Sequence, residues 1–208
     1  MMDRPLILAS ASPRRRALLE SVGIEIEVVP SSVEEVLKGK EDPRSHVLRL
    51  ATEKVEDVAA RFWDRWIIGA DTVVVARGEI LGKPQCPEEA EHMLSLLSGR
   101  YHRVLTGYVI TRKREPAFAS GVVETRVKVK DLSPSEIKWY VRTGEPFGKA
   151  GGYAIQGAGA FMVERIEGSY TNVVGLPLCQ VLESLRALGA IDWSTRHEHQ
   201  GRPQDESD

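Results

Sequence analysis

A short apolar strand, Leu6-Ile7-Leu8-Ala9, runs through Ser10-Ala11-Ser12-Pro13 into three consecutive arginines, Arg14 to Arg16. Ser12 is a preferred helix N-cap, and Pro13 falls on the first helical position, where a missing N–H costs nothing. A helix therefore starts there, carries Leu18, Leu19 and Val22 as an apolar stripe, and stops at Gly23. The open N–H groups of its first turn carry partial positive charge; the arginines add full charges, and Ser10 and Ser12 add hydroxyl donors. This is a socket for phosphate. The plainer alternative is a solvated basic turn, and the position at a strand-to-helix junction argues against it.

The remaining chain alternates strand and helix signals. Ile24 to Val29 reads as a half-buried strand, followed by Glu34 and Glu35. Apolar residues from Val47 to Phe62 give helical periodicity over Pro43 to Arg65, with Lys54 on that helix. Trp66 to Val75 is an apolar, β-branched run broken by one acid, Asp71, and reads as a central buried strand. A carboxylate there must face a wet cleft, bind a cation or meet a fixed basic partner, a structural salt bridge being the plain version. Arg77 to Ile80 reads as a hairpin turn whose second strand delivers Leu81-Gly82-Lys83-Pro84. GxxxxGK[ST] is absent, so any phosphate role of Lys83 comes from placement. Next come a helix over residues 87–97 and strands over 101–110 and 121–129, joined by a surface turn through Arg112 to Pro116. Ser133-Pro134-Ser135-Glu136 is a capping box that opens a further helix. Gly148 to Ala160 is dense in small residues around Lys149 and Gln156, which lets a ligand approach the backbone. Phe161 to Ile166 reads as a strand, Ser169 to Pro177 as a polar turn, and residues 178–188 as the last helix. Residues 192–208 are expected to form a disordered polar tail, in which His197 and His199 are solvent-exposed.

Composition excludes several classes. No apolar run approaches the roughly 20 residues a membrane helix needs, and the start lacks the apolar core and cleavage site of a signal peptide. A cytoplasmic protein with no membrane partner is expected. Cys86 and Cys179 lack CxxC or Cys/His spacing, so neither a disulfide framework nor a zinc site is indicated. A net charge of −2 on 208 residues argues against broad nucleic-acid binding, despite basic clusters at Arg14 to Arg16 and at Arg112 to Arg114. A small anion in a local pocket fits better.

Ser10, Arg14, Arg15, Lys54, Lys83 and Lys149 supply the basic side of such a pocket, and Glu34, Glu35 and Asp71 the acidic side. Basic groups hold a polyphosphate; hard carboxylate oxygens hold a divalent ion such as Mg²⁺, which takes one or two carboxylates plus substrate phosphate. These are the parts of a metal-assisted phosphoanhydride hydrolase in which a carboxylate takes a proton from water. Serine or cysteine hydrolysis is disfavoured, because GxSxG is absent and neither cysteine has a suggestive setting.

The motifs Ser10-Ala11-Ser12-Pro13-Arg14-Arg15, Gly69-Ala70-Asp71-Thr72-Val73-Val74, Gly82-Lys83-Pro84, Ser98-Gly99-Arg100, Lys149-Ala150-Gly151-Gly152-Tyr153 with Ile155-Gln156-Gly157, and Asn172 to Pro177 occur in one order. In that order they resemble the Maf family of nucleotide pyrophosphatases, over about residues 6 to 188. The resemblance implies an α/β fold like that of the inosine triphosphate pyrophosphatases, an elongated mixed β-sheet flanked by helices, with two lobes around a deep cleft. It implies one bilobed domain over residues 1–191, a homodimer, and a divalent metal (Mg, Mn or Co). The implied reaction splits a nucleoside triphosphate into monophosphate and pyrophosphate. Carried over residue by residue, Asp71 resembles the family's catalytic proton acceptor or a metal ligand, and Glu35 its second acid, a metal ligand. Ser10, Arg14, Arg15, Lys54, Lys83 and Lys149 match phosphate-binding positions, while Arg14, Thr72 and Gln156 match the specificity positions. A glutamine amide offers one donor and one acceptor, which suits O4 and N3–H of uracil or thymine. Ile-Gln-Gly resembles the subfamily acting on dTTP and UTP, with modified pyrimidine nucleotides as further substrates. Two alternatives remain: a pyrophosphatase for N7-methylated GTP, and a non-catalytic nucleotide- or nucleic-acid-binding regulator of cell division and septum formation. Gly148 departs from the family pattern, where many relatives carry Asp before the lysine.

Overall fold

The computed structural model describes residues 4–39, 41–112 and 117–192. All but Arg112 of the expected turn through Arg112 to Pro116, and nearly all of the expected tail, therefore lie outside the described residues. Seven strands form one mixed sheet in the order β2-β1-β3-β5-β6-β7, with β4 paired to β3 beside this path. The strands are β1 (Leu6–Leu8), β2 (Ile26–Val28), β3 (Ile67–Ala76), β4 (Glu79–Leu81), β5 (Tyr101–Arg112), β6 (Ala117–Val129) and β7 (Val163–Glu167). The helices are α1 (Pro13–Ser21), α2 (Pro43–Ala59), α3 (Pro87–Leu97), α4 (Pro134–Arg142), α5 (Tyr170–Val174) and α6 (Leu178–Ala187). β1 runs parallel to β2 and β3, and every other pair is antiparallel.

Long strands β3, β5 and β6 carry separate cores at their two ends. On one face, Ile68, Ala70, Tyr108 and Ile110 pack with α1 and α6. Further along the same face, Val74, Ala76, Val104 and Val127 pack with α3 and α4. α2 covers the opposite face, against Ile67, Val109, Val73, Val75 and Leu105. Its close approach has a sequence cause. A Cβ on Gly69 would stand 2.6 Å from Val55 Cγ2 and 2.9 Å from the Ala51 carbonyl, and one on Gly107 would stand 2.6 Å from the Val47 carbonyl. Only glycine at these two positions lets the helix backbone lie this near the sheet.

The edge of β3 is covered in two pieces. β1 pairs with Ile67 and Ile68, β4 pairs with Val74 to Ala76, and neither reaches Gly69 to Val73. The gap is a notch in the sheet edge, and it explains how residues on opposite faces of β3 come to share one space.

Three expectations need correction. α2 ends at Ala59 rather than Arg65, because residues 60–65 turn the chain back into β3; Phe62 still packs on the core from that turn, which extends the apparent periodicity. Residues 169–177 contain a short helix, α5, capped by the Ser169 hydroxyl on Asn172 N–H. The small-residue run gives rise to two 3-10 stretches, Ala150–Gly152 and Gly157–Met162, the second of which delays the following strand to Val163 instead of Phe161. No helix among the described residues is long and apolar enough to cross a membrane.

Candidate active site

A cavity of about 490 Å³ opens at the notch, with Ser10, Arg14, Arg15, Glu35, Asp71, Thr72, Lys83, Lys149 and Gln156 on its wall. Of the residues singled out from sequence, Lys54 stands behind that wall and Glu34 lies outside it on an exposed stretch.

Asp71 and Thr72 are consecutive in β3 and point to opposite faces of the sheet. On the α2 face, Lys54 is buried, and its ammonium donates to Asp71 Oδ1 at 2.7 Å and to Glu35 Oε1 at 2.6 Å. Lys83 donates in turn to Glu35 Oε2. The result is an alternating chain of charges, Asp71–Lys54–Glu35–Lys83. Burial pushes the Glu35 carboxyl up, but the charges and hydrogen bonds of Lys54 and Lys83 outweigh it and hold it at about 2.

On the other face the ordering is neutral. Arg15 is buried and donates from Nε to the Gly175 carbonyl (2.8 Å), from Nη1 to Ser10 Oγ (3.0 Å) and from Nη2 to Thr72 Oγ1 (3.0 Å). Thr72 Oγ1 also meets Thr106 Oγ1 at 2.9 Å. Arg15 uses three of its five donors to tie the β1–α1 junction to β3 and to the end of α5. Burial lowers its pKa, with Asp71 and Glu35 opposing.

Arg14 and Lys149 make the cationic end. Burial lowers the pKa of each, and Arg14 lowers that of Lys149 further by like-charge repulsion, while Glu145 opposes. Cations held in mutual repulsion on a cavity wall are stabilised by an incoming anion. Val74, Phe147, Tyr153 and Val174 supply apolar wall that sequence reasoning did not assign. Tyr153 is itself fixed by its hydroxyl on His102 Nε2 at 2.7 Å, and burial lowers the His102 pKa to about 4.

Among the described residues, no group of three or more His, Cys, Asp and Glu gathers as a metal site. Asp71 and Glu35, both cavity-lining and both bonded to the Lys54 ammonium, are hard oxygen donors of the kind a divalent ion takes. Two carboxylates plus substrate phosphate are sufficient for Mg²⁺.

Residues 5–188 match the family of Maf-like proteins. The chain belongs to that family. A relative from Geotalea uraniireducens (strain Rf4), named dTTP/UTP pyrophosphatase, is 54% identical over 187 residues, covering 90% of this chain and 96% of its own. A second, from Syntrophus aciditrophicus (strain SB) and with the same name, is 48% identical over 205 residues, covering 99% and 100%. Among solved structures, the Staphylococcus aureus Ham1 protein is similar at 16% identity and a TM-score of 0.38, over 62% of this chain and 73% of that one. A HAM1 protein from Coxiella burnetii is similar at 17% identity and a TM-score of 0.37, over 61% and 73%.

Proposed function

We propose that this protein hydrolyses dTTP and UTP, together with modified pyrimidine triphosphates, to the monophosphate and pyrophosphate in a metal-dependent reaction. The carrying observation is one cavity whose wall holds Asp71, Glu35 and Lys83, joined through Lys54, together with Arg14, Lys149 and Gln156. The names of the two relatives support the same reading.

Arg14, Lys83 and Lys149 bind the phosphates, with the Ser10 hydroxyl beside them. Gln156 pairs with the base edge. Asp71, oriented by Lys54, accepts a proton from water as the water oxygen bonds to the α-phosphorus. The bond from that phosphorus to the α–β bridging oxygen breaks, and pyrophosphate leaves. Glu35 and Asp71 would hold a divalent ion, which supplies neutralisation of the triphosphate charge.

The test is pyrophosphate release from dTTP, UTP, GTP and N7-methylated GTP with Mg²⁺ or Mn²⁺, for the parent and for Asp71→Asn. Pyrimidine turnover that Asp71→Asn lowers by about 10²- to 10⁴-fold in a folded protein is the expected outcome. Preference for methylated GTP, metal-independent turnover, or an active Asp71→Asn would each refute the corresponding part of the proposal.

A further inference from the structure

Gln156 stands at the cavity rim, exposed, on a stretch that belongs to no strand or α-helix. Its amide can discriminate between bases only if the backbone beneath it is held. Two side chains outside the cavity wall hold it. Tyr140, on α4 and fully buried, accepts the Ala154 N–H on its hydroxyl at 3.1 Å. The same hydroxyl donates to Glu145 Oε1 at 3.1 Å. The Glu145 carboxylate accepts the Ala158 N–H on Oε2 at 2.9 Å and the Gly159 N–H on Oε1 at 3.1 Å. Ile155, Gln156 and Gly157 thus span the distance between two anchored points.

Gly157 completes the fit, with a φ of +68° and with Glu145 Oε2 only 2.8 Å from where a Cβ would stand. A third tie joins the clamp to the cationic end, since Lys149 Nζ donates to the Glu145 backbone carbonyl. A single carboxylate that satisfies two consecutive N–H groups and one hydroxyl is a charge-assisted network, stiffer than the neutral bonds around it.

We propose that Tyr140 and Glu145 are positioning residues for base selection, clamping both sides of Ile155-Gln156-Gly157 so that the Gln156 amide meets a pyrimidine edge in a fixed orientation. This rests on the reading that the cavity takes dTTP and UTP. It assigns the clamp no part in the chemical step, because neither residue reaches the cavity wall.

The test compares the parent with Tyr140→Phe, Glu145→Ala and Glu145→Gln, by steady-state kinetics on UTP, dTTP and GTP and by amide hydrogen exchange over residues 154–160. In Glu145→Ala the KM for UTP and dTTP rises by about 10-fold, kcat stays within about 2-fold, and the preference for UTP over GTP falls by about the same 10-fold. Tyr140→Phe, which keeps the ring in its packing, produces about half that effect on a logarithmic scale. Glu145→Gln keeps an acceptor oxygen and recovers most of the loss. Exchange at Ala158 and Gly159 accelerates by about 10-fold in Glu145→Ala. Unchanged KM and base preference in folded variants overturn the proposal, as does a fall in kcat of equal size on every nucleotide. If Glu145→Ala does not fold, Tyr140→Phe decides. If the parent hydrolyses no triphosphate, the functional reading fails and the role in base selection fails with it; accelerated exchange in Glu145→Ala would then sustain only the hold on the backbone, and unchanged exchange would sink that too.

Discussion

Asp71 and Thr72 follow one another in β3, line the same cavity, and are organised by opposite means. Asp71 sits in an ion chain in which each charge meets its opposite, through Lys54 to Glu35 and Lys83. Thr72 sits among neutral oxygens that share out one buried guanidinium. The contrast teaches where each face can change on ligand binding. An ion chain can trade a partner, since an anion entering the cavity can compete with Glu35 for Lys83. Arg15 is fixed on three separate elements and has no such alternative. One face is built to exchange partners and the other to stay still.

The largest effect that would break this contrast comes from Lys54→Met, which leaves the buried Asp71 carboxylate without its ammonium. Urea unfolding should show a loss of about 3–5 kcal/mol, and a loss below 1 kcal/mol would mean that the chain of charges contributes little. A smaller loss, about 1–3 kcal/mol, follows from Thr72→Val, which keeps the shape and removes the oxygen shared by Arg15 and Thr106. If Thr72→Val costs as much as Lys54→Met, the distinction between the two faces fails. The smallest effect is on acid stability. The Glu35 carboxyl is held at about 2 against an ordinary 4.5, so its contribution is complete above pH 4.5 and is lost as pH falls toward 2. In urea titrations from pH 5 to pH 2, Glu35→Gln should show a shallower decline than the parent, and parallel curves would contradict the role given to Lys54 and Lys83.

Features set by neighbours in sequence were legible before the structure. Ser12 caps α1 through Arg15 N–H, and Ser133 with Glu136 closes the box on α4, since both depend on residues within one turn. The arginine run shows the limit. Successive helical residues point about 100° apart, so Arg15 turns into the interior, Arg14 reaches the cavity, and Arg16 bonds Glu20 in solvent. Three identical letters carry three environments that no local pattern separates. Lys54 was visible as a helix position, but its carboxylate partners lie 17 and 19 residues away in sequence and meet it only because Gly69 and Gly107 admit α2. Tyr140 and Glu145 gave no signal beyond an ordinary helix end, because what they hold lies beyond the next loop.

The notch in the sheet edge has one more consequence. Gly69 to Val73 is about 17 Å of strand that no other strand pairs on that side among the described residues, and unpaired strand edges ordinarily recruit other chains and seed aggregates. Here β1 and β4 stand as bookends, so a foreign strand has too short a berth to zip along. Four of these five residues are also buried, so the unpaired stretch offers a foreign chain little to grip.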